Sequence, residues 1–401
     1  MVEKATPPHS AAVAWLPPGV VRDPLSERPF FTFLFKIASR CNLDCNYCYV
    51  YNGPDQSWRE RPRFMDRDVA THAANAIAAH VTKYGLEEIA VVFHGGEPLL
   101  AGPARIDEYC RIVKSIVPAR IEFGVQTNAT LLRPKLLDVL AKHNVKIGIS
   151  LDGTESTNDL NRRFRNGRGS YSRVIRGAEL IRSRPEWTRL FGGFLAVIDI
   201  RHEPKEVYEG LVSLGARSLD LLLPDCHHDA PPPRPMGLDS RTAYGRWLSS
   251  FFDYWLDGDA KFELRYFEEI IALLLGGFST LEAIGAKSVD LIVIESDGDI
   301  EAVDTLKMVG RHVTDLHLNV ARNSFDDAIA HPAVYSRMLG YDALCETCKT
   351  CTELESCGGG YVPHRYGRGN GFLNPSVYCE DLKFLFSHIR EQIAPHLASA
   401  K

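Results

Sequence analysis

The feature that most constrains the fold of this chain is a regular alternation of strand-like and helix-like segments between about residues 30 and 222. Apolar, β-branched runs such as Phe31–Ala38 and Ile89–Phe93 alternate with amphipathic segments such as Asp66–Val81, and the last run is Leu219–Leu223. Because strand–helix–strand units favour parallel pairing with right-handed crossovers, this pattern predicts an α/β fold around a parallel sheet. Functional groups of such folds lie at the carboxyl ends of the strands.

Composition and charge narrow the classes of function. The chain has 401 residues, of which 45% are hydrophobic and 24% charged, with a formal net charge of −5. Bulk electrostatics therefore do not favour nucleic acid as a partner. We find no apolar run long enough to span a membrane and no signal peptide, so we expect a cytoplasmic protein with no membrane association. Because that compartment is reducing, the clustered cysteines are expected to bind metal rather than form disulfides.

A cysteine run with C-x3-C-x2-C spacing, formed by Cys41, Cys45 and Cys48, follows the first predicted strand directly. Three thiolates this close can hold three irons of a cubane cluster, whereas electron carriers use four cysteines. With no fourth cysteine nearby, one iron stays open to a small molecule. The alternative is a zinc knuckle, but zinc sites favour C-x2-C pairs, often completed by histidine.

The run resembles the signature of the radical S-adenosylmethionine (radical SAM) enzymes. This resemblance implies a partial (β/α)6 TIM-like barrel and a [4Fe–4S] cluster whose open iron chelates the methionine part of SAM. Gly95, Gly96 and Glu97 follow the second strand and resemble the family's GGE motif, which binds the SAM amino group. Glycines also permit close backbone approach to a ligand, and a carboxylate suits a bound ammonium group.

Polar residues after the third and fourth strands match further positions of the family that contact SAM. Gln126 and Asn128 end the third strand, and Ser150 and Asp152 end the fourth. Two alternatives stay open, since Asn128 suits a helix cap and Asp152 suits a turn with the following glycine. The resemblance assigns Arg162 to the SAM carboxylate, a charge-assisted contact, with the neighbouring Arg163 as its rival.

A second group of cysteines lies near the end of the chain and resembles the SPASM extension of peptide-modifying radical SAM enzymes. The resemblance implies that four of them hold one auxiliary [4Fe–4S] cluster: Cys348, Cys351, Cys357 and Cys379. Four thiolates would ligate that cluster fully, so it would conduct electrons rather than bind substrate. Cys345 is a spare thiol or a substitute ligand. A zinc ribbon that staples the tail is the alternative.

The chain departs from the complete SPASM pattern at two positions. Val303 and Tyr361 stand where that pattern has cysteines of a second, inner auxiliary cluster. We therefore expect two [4Fe–4S] clusters in all, one that binds SAM and one auxiliary. Asp304 follows Val303 and corresponds to a general base of related sulfatase-maturing enzymes. The alternative for Asp304 is a solvated aspartate in a hairpin.

The segment from Cys357 to Cys379 resembles the cyclophane-forming radical SAM maturases. The resemblance implies hydrogen abstraction from a Cβ of a ribosomally made precursor peptide and a crosslink from that carbon to an aromatic ring. It also implies a ferredoxin or flavodoxin as electron donor. Sulfatase maturation, which forms formylglycine, and thioether formation are the alternative activities. An iron–sulfur or zinc scaffold without catalysis is the non-enzyme alternative.

The motifs divide the chain into four predicted parts. A strand pair is expected at Leu291–Glu295 and Ile300–Val303, and a final helix begins at Cys379. The parts are a Pro-rich, loosely ordered segment (1–29), the partial barrel (30–223), a connecting helical region (224–285) and a SPASM-like domain with the final helix (286–401).

Overall fold

A computed structural model describes residues 14–20, 28–258 and 262–399. Most of the predicted segment 1–29 lies outside the described residues. The strands, in chain order, are β1 (Thr32–Ala38), β2 (Glu88–Gly95), β3 (Arg120–Thr127), β4 (Lys146–Ser150), β5 (Phe191–Val197), β6 (Ser218–Leu222), β7 (Glu263–Leu264), β8 (Leu291–Ile294), β9 (Asp299–Glu301) and β10 (Asp315–Asn319).

The helices surround this sheet and also carry the C-terminal cysteines. They are α1 (Arg67–Tyr84), α2 (Gly102–Ile116), α3 (Pro134–His143), α4 (Glu155–Asn161), α5 (Tyr171–Arg182), α6 (Trp187–Leu190), α7 (Pro204–Ser213), α8 (Ala243–Asp257), α9 (Arg265–Leu274), α10 (Phe325–Ile329), α11 (Pro332–Tyr335), α12 (Glu346–Lys349), α13 (Leu354–Cys357) and α14 (Cys379–Ser399).

The predicted series of strand–helix units is confirmed. Strands β1 to β6 pair in parallel, each with its neighbour in the sequence. Local signals set the ends of the first helix: Asp66 accepts a hydrogen bond from the Val69 N–H at 2.8 Å, and Gly85 ends the helix with φ 63°. The α/β fold class inferred from the sequence is therefore correct.

The sheet continues beyond the six predicted barrel strands. Its ten strands lie in the order β10-β9-β8-β1-β2-β3-β4-β5-β6-β7. The predicted hairpin is confirmed, since β8 and β9 pair antiparallel, and β8 also pairs in parallel with β1. The predicted C-terminal part therefore extends the barrel sheet, while the exact domain boundaries stay a prediction. The short strands β7 and β10 were not predicted.

Apolar side chains of the central strands form the core. Phe33, Phe35 and Ile37 of β1 are fully buried, and because alternate residues share one face of a strand, they form one apolar face. Helix α8 packs against α14 and buries Phe251 and Phe252. Within the described ranges, we find no helix with the length and apolarity needed to cross a bilayer.

Candidate active site

The site is a cavity of about 520 Å³ at the carboxyl ends of the barrel strands. Its wall is formed by residues of the cysteine run, by the ends of β2 to β6, and by residues of the predicted SPASM-like part. The motifs that lay far apart in the sequence therefore face one space, as parallel-sheet topology requires.

The three cysteines of the first run line this cavity together. The Leu43 N–H lies 3.4 Å from Cys41 Sγ, and Asn128 Nδ2 lies 3.9 Å from the same sulfur. Burial raises the pKa of Cys45 to about 11 and also raises the pKa values of Cys41 and Cys48. Binding of iron would therefore release protons from these thiols. The cavity wall, the thiols and the N–H groups near sulfur fit a cubane cluster.

Single-metal sites were considered for the same cysteines. In the part of the chain that the structure describes, no three His, Cys, Asp or Glu side chains converge as the ligands of one metal ion do. Around zinc, sulfur ligands would lie at about 2.3 Å from the ion. The zinc knuckle and the zinc ribbon considered from the sequence thus gain no support from the geometry.

Gly95 and Gly96 line the cavity, whereas Glu97 lies behind it. A Cβ at Gly96 would meet the Tyr51 hydroxyl and the Arg40 carbonyl, so only glycine fits here. The Glu97 carboxylate accepts hydrogen bonds from Thr127 Oγ1 at 2.6 Å and from the backbone N–H groups of Leu99 and Asn128, both at 2.9 Å. Glu97 therefore ties β2 to the end of β3.

Gln126, Asn128 and Ser150 also line the cavity. Gln126 Nε2 donates to Ser150 Oγ at 2.9 Å, which leaves both groups at the wall between β3 and β4. Asn128 Oδ1 accepts from the Thr130 N–H at 3.1 Å, so this side chain closes a turn rather than capping a helix. Its Nδ2 donates to Asn42 in the cysteine loop at 3.0 Å. The side chain thereby fixes the loop that carries Cys41.

Arg162 reaches the cavity from the end of α4, and Asp152 supports it through Tyr47. Arg162 Nη1 donates to the Tyr47 hydroxyl at 2.7 Å, and that hydroxyl donates to Asp152 Oδ2 at 2.7 Å. Arg162 Nε is buried and has no partner among the described residues. Arg162 also lines the cavity, and a guanidinium there fits the carboxylate expected from the sequence. Arg163 is exposed and donates to the Asp159 carbonyl, which favours Arg162 over its rival.

The C-terminal cysteines also come together. Cys357 is near Cys351 and Cys379, and Cys348 contacts Cys345 side chain to side chain. Burial raises the pKa values of Cys348 and Cys357 to about 12. The four predicted ligands therefore fit one cluster, and Cys345 is close enough to remain the substitute ligand considered from the sequence.

A buried arginine holds the turn beside these cysteines. Arg365 donates to the Gly358, Gly359 and Gly360 carbonyls at 3.1, 3.0 and 2.7 Å. The three glycines have φ values of 58°, 80° and 69°, a conformation that side chains with a Cβ disfavour. Arg365 thus places one positive charge next to Cys348, where a cluster with thiolate ligands would be negative.

Val303 and Tyr361 are the two departures from the SPASM pattern. Val303 is buried, whereas Tyr361 lines the cavity and its hydroxyl forms a short hydrogen bond with Thr305. Arg337 forms an ion pair with Glu282, and both side chains are largely shielded from solvent. The loss of the inner cluster stays a prediction.

Asp304 lies in the cavity wall and is held by cations rather than by solvent. Its carboxylate forms an ion pair with Lys36 and accepts a hydrogen bond from the Tyr49 hydroxyl at 2.9 Å. Lys36 Nζ also lies 3.0 Å from His94 Nδ1. Burial acts to raise the pKa of Asp304, but Lys36 outweighs it and holds that pKa well below the usual range. The alternative of a solvated hairpin aspartate is thus not what the structure shows.

Sequence reasoning missed Lys36, Tyr47, Tyr49 and Asp225. Lys36 had a signal, because it is a charged residue inside the apolar run Phe31–Ala38. Tyr47 and Tyr49 flank Cys48 in the first run. The loop that brings this cysteine to the cavity therefore brings both tyrosines there as well. Asp225 stands in a Pro-rich loop, where only the fold shows that it faces the cavity.

The chain is similar to known proteins along most of its length. The sequence model of the Radical SAM superfamily matches residues 35–194. The serine-type anaerobic sulfatase-maturating enzyme of Klebsiella aerogenes is 26% identical over 376 residues, which cover 89% of this chain and 85% of that protein. The cysteine-type enzyme of Clostridium novyi (strain NT) is 25% identical over 381 residues, with coverage of 87% and 92%.

Among solved structures, native anSMEcpe with bound AdoMet and Cp18Cys peptide has the same fold, with a TM-score of 0.75 and 22% identity. The match covers 92% of this chain and 99% of that one. Together with the cysteine run at the carboxyl ends of the strands, these findings show that residues 35–194 form a domain of the Radical SAM superfamily.

Proposed function

We propose that this enzyme modifies a peptide or protein by removing a hydrogen atom from the Cβ of one residue, after which the substrate loses one electron and one proton. The observation that carries the proposal is the shared cavity, which brings Cys48 and Arg162 to the same space as the carboxylates of Asp304 and Asp225. The sulfatase-maturating relatives, named for action on proteins, support a substrate of this class.

Two groups of residues would hold the cofactors. Cys41, Cys45 and Cys48 would hold the SAM-binding [4Fe–4S] cluster, and the Arg162 guanidinium would meet the SAM carboxylate. When bound and reduced, this cofactor pair supplies a 5′-deoxyadenosyl radical, which removes hydrogen from unactivated carbon. Gln126 and Ser150 would position SAM from the β3–β4 side of the wall.

The auxiliary cysteines would hold a second, fully ligated [4Fe–4S] cluster. Four thiolates leave no open iron, so this cluster suits electron transfer. A ferredoxin or flavodoxin would be the external donor. The protein's own contribution is to position the substrate, to exclude water and to accept a proton at a carboxylate of the cavity.

Crosslinking of the Cβ to an aromatic ring, giving a cyclophane in a ribosomally made precursor peptide, is the first candidate for the product. Val303 and Tyr361 favour it, because they replace the inner-cluster cysteines of the complete SPASM pattern and fill the wall with side chains. Formylglycine is the second candidate, and the relatives that match along most of the chain favour it.

The test is anaerobic reconstitution of the full chain, reduction, and incubation with SAM and one of two peptides. The first is the peptide encoded by a short reading frame beside the gene that has an aromatic-x-x motif. The second is the Cp18Cys peptide. We expect 5′-deoxyadenosine together with a changed peptide mass. A crosslink removes two hydrogen atoms and joins two residues in tandem mass spectra, whereas formylglycine reacts with a hydrazide.

The matched control is Cys41→Ala, which should abolish both the 5′-deoxyadenosine and the modified peptide. Formation of 5′-deoxyadenosine without any change in the first peptide would reject crosslinking for that peptide. A hydrazide-reactive product from Cp18Cys alone would assign the formylglycine activity instead. Absence of 5′-deoxyadenosine from a protein that contains its iron would contradict the proposed function as a whole.

A further inference from the structure

Asp225 lies in the loop after β6, at the carboxyl end of the last barrel strand. Its side chain is half-buried, and it lines the cavity together with Cys48, Arg162 and Asp304. Across the described ranges, no cation and no hydrogen-bond donor contacts its carboxylate. A carboxylate that is enclosed by a cavity wall, yet has no partner, is costly to keep charged and is available to a molecule in the cavity.

Asp304 differs from Asp225 in the partners of its carboxylate and in its burial. Its carboxylate is paired with Lys36 and accepts a hydrogen bond from Tyr49. Only 6% of its side-chain surface is exposed. Taking a proton would require Asp304 to give up the ion pair, so Asp304 is a poor proton acceptor. It nevertheless places a fixed negative charge within reach of Asp225.

Among the described residues no cation pairs with the Asp225 carboxylate, although Arg162, Arg265 and Lys287 line the same cavity. Other groups face it. Those groups are Asp304 from the turn after β9, Tyr49 from the cysteine loop, Tyr361 from the turn after α13, Tyr378 before α14, and Cys226 beside it. Burial, and then the charge of Asp304, raise the pKa of Asp225 to about 7. Two carboxylates with separated pKa values in one site are typical of divided roles in acid–base chemistry.

We propose that Asp225 accepts the proton that the substrate loses in this cavity, and that Asp304 acts as a positioning carboxylate fixed by Lys36. This inference rests on the proposed function. In the step, the substrate radical gives one electron to an acceptor of the iron–sulfur class. An X–H bond of the substrate breaks, an O–H bond forms on Asp225, and the electron pair of the X–H bond becomes the new π bond.

The first test is independent of turnover. Infrared difference spectra of the reconstituted enzyme, wild type minus Asp225→Asn, are recorded across a pH series. We expect a protonated carboxyl band that disappears as pH rises through about 7 and that Asp225→Asn lacks. In Asp304→Asn the band should disappear at lower pH, because removal of the nearby negative charge favours ionised Asp225. A wild type without such a band, or a band that Asp225→Asn retains, would overturn the inference.

The second test is the yield of modified peptide per 5′-deoxyadenosine as a function of pH, with whichever peptide the wild type modifies. We expect the wild-type yield to rise with pH around neutrality, and Asp225→Asn to lower it by about a hundredfold. Asp225→Glu should restore part of the yield. Asp304→Asn should shift the rise to lower pH. Unchanged yield in Asp225→Asn refutes the role of Asp225, whereas a wild type that cleaves SAM but leaves both peptides unmodified counts against the proposed function.

Discussion

Lys36 and Asp304 form a buried ion pair, although 268 residues separate them in the sequence. Lys36 stands in the middle of β1, and Asp304 begins the turn that follows β9. Only 4% and 6% of their side-chain surfaces are exposed. The pair therefore joins the first barrel strand to the SPASM-like part directly beside the cavity.

We predict that Lys36→Met destabilises the protein strongly. The substitution leaves the Asp304 carboxylate buried without its cation, which costs about 3–5 kcal/mol when one partner of a buried pair is removed. Urea unfolding of the reconstituted enzyme measures this cost. The double variant Lys36→Met/Asp304→Asn should lose less stability than Lys36→Met alone. Equal losses in the two variants would mean that the ion pair contributes nothing.

The same pair predicts a pH dependence of stability. Because Lys36 holds the pKa of Asp304 well below its ordinary value, the folded state gains stability that is fully present above the unfolded pKa of about 4. This contribution is lost as pH falls through the folded pKa. The unfolding free energy of the wild type should therefore fall below about pH 4, and its difference from Lys36→Met should already shrink at higher pH, because burial without the cation raises the pKa of Asp304 in that variant. A difference that stays constant over that range would contradict the assignment.

Arg162 and Arg163 provide a matched pair for the SAM site. Arg162→Gln should weaken SAM binding by about 10- to 100-fold, because it removes a hydrogen bond to a charged group. Arg163→Gln should leave binding unchanged, since Arg163 is exposed and bonds only the Asp159 carbonyl among the described residues. Equilibrium binding of SAM to the reduced, reconstituted enzyme measures both. Equal losses of SAM affinity in the two variants would contradict the assignment of the SAM carboxylate to Arg162 rather than Arg163.

Much of the fold could be predicted from the sequence, because its signals are local. Strand–helix alternation predicted the six barrel units, and Asp66 marked the start of a helix that the structure confirms. The pairing of β8 with β1 could not be predicted, because it depends on the return of the chain to a distant strand. The two-residue strand β7 is too short to leave a periodic pattern.

The candidate site was predictable where it consists of motifs. The cysteines and the glycines stand close together in the sequence, so their spacing carries the information. The Glu97 carboxylate accepts hydrogen bonds from Thr127, Leu99 and Asn128, and its contact with SAM stays a prediction. Asp225 has no motif, and its position depends on the carboxyl ends of several strands meeting at one cavity.

The cysteine groups make separate predictions about iron content. Wild type should bind about eight irons per chain, the sum of two four-iron cubanes. Cys45→Ala and Cys351→Ala should each lose about four, while Cys110→Ala should lose none because Cys110 is buried among helical residues. Iron analysis and absorbance after anaerobic reconstitution measure this. About twelve irons in wild type would show a third cluster and contradict the interpretation of Val303 and Tyr361.

His80 predicts a second pH dependence of the free energy of unfolding. This residue lies on α1 beside the start of β1, whereas the active site lies at the carboxyl ends of the strands. His80 Nε2 accepts a hydrogen bond from the Phe30 N–H at 3.0 Å, and the rings of Phe33 and Phe325 lie beside it. Burial lowers the pKa of His80 to about 4. Because the pKa of His80 is lower in the folded state than in the unfolded state, its contribution to the free energy of unfolding is complete above about pH 6.5. That contribution is lost as pH falls towards about 4.

The loss should reach about 3 kcal/mol at the acidic end, since each pKa unit corresponds to about 1.4 kcal/mol. Urea unfolding from about pH 7.5 to about pH 4.5 measures it. His80→Gln keeps an acceptor for Phe30 but cannot titrate, so its stability should change less over this range than that of the wild type. His72→Gln, an exposed substitution on the same helix, is the matched control and should follow the wild type. If His80→Gln and the wild type lose stability in parallel, the acid sensitivity arises from groups other than His80.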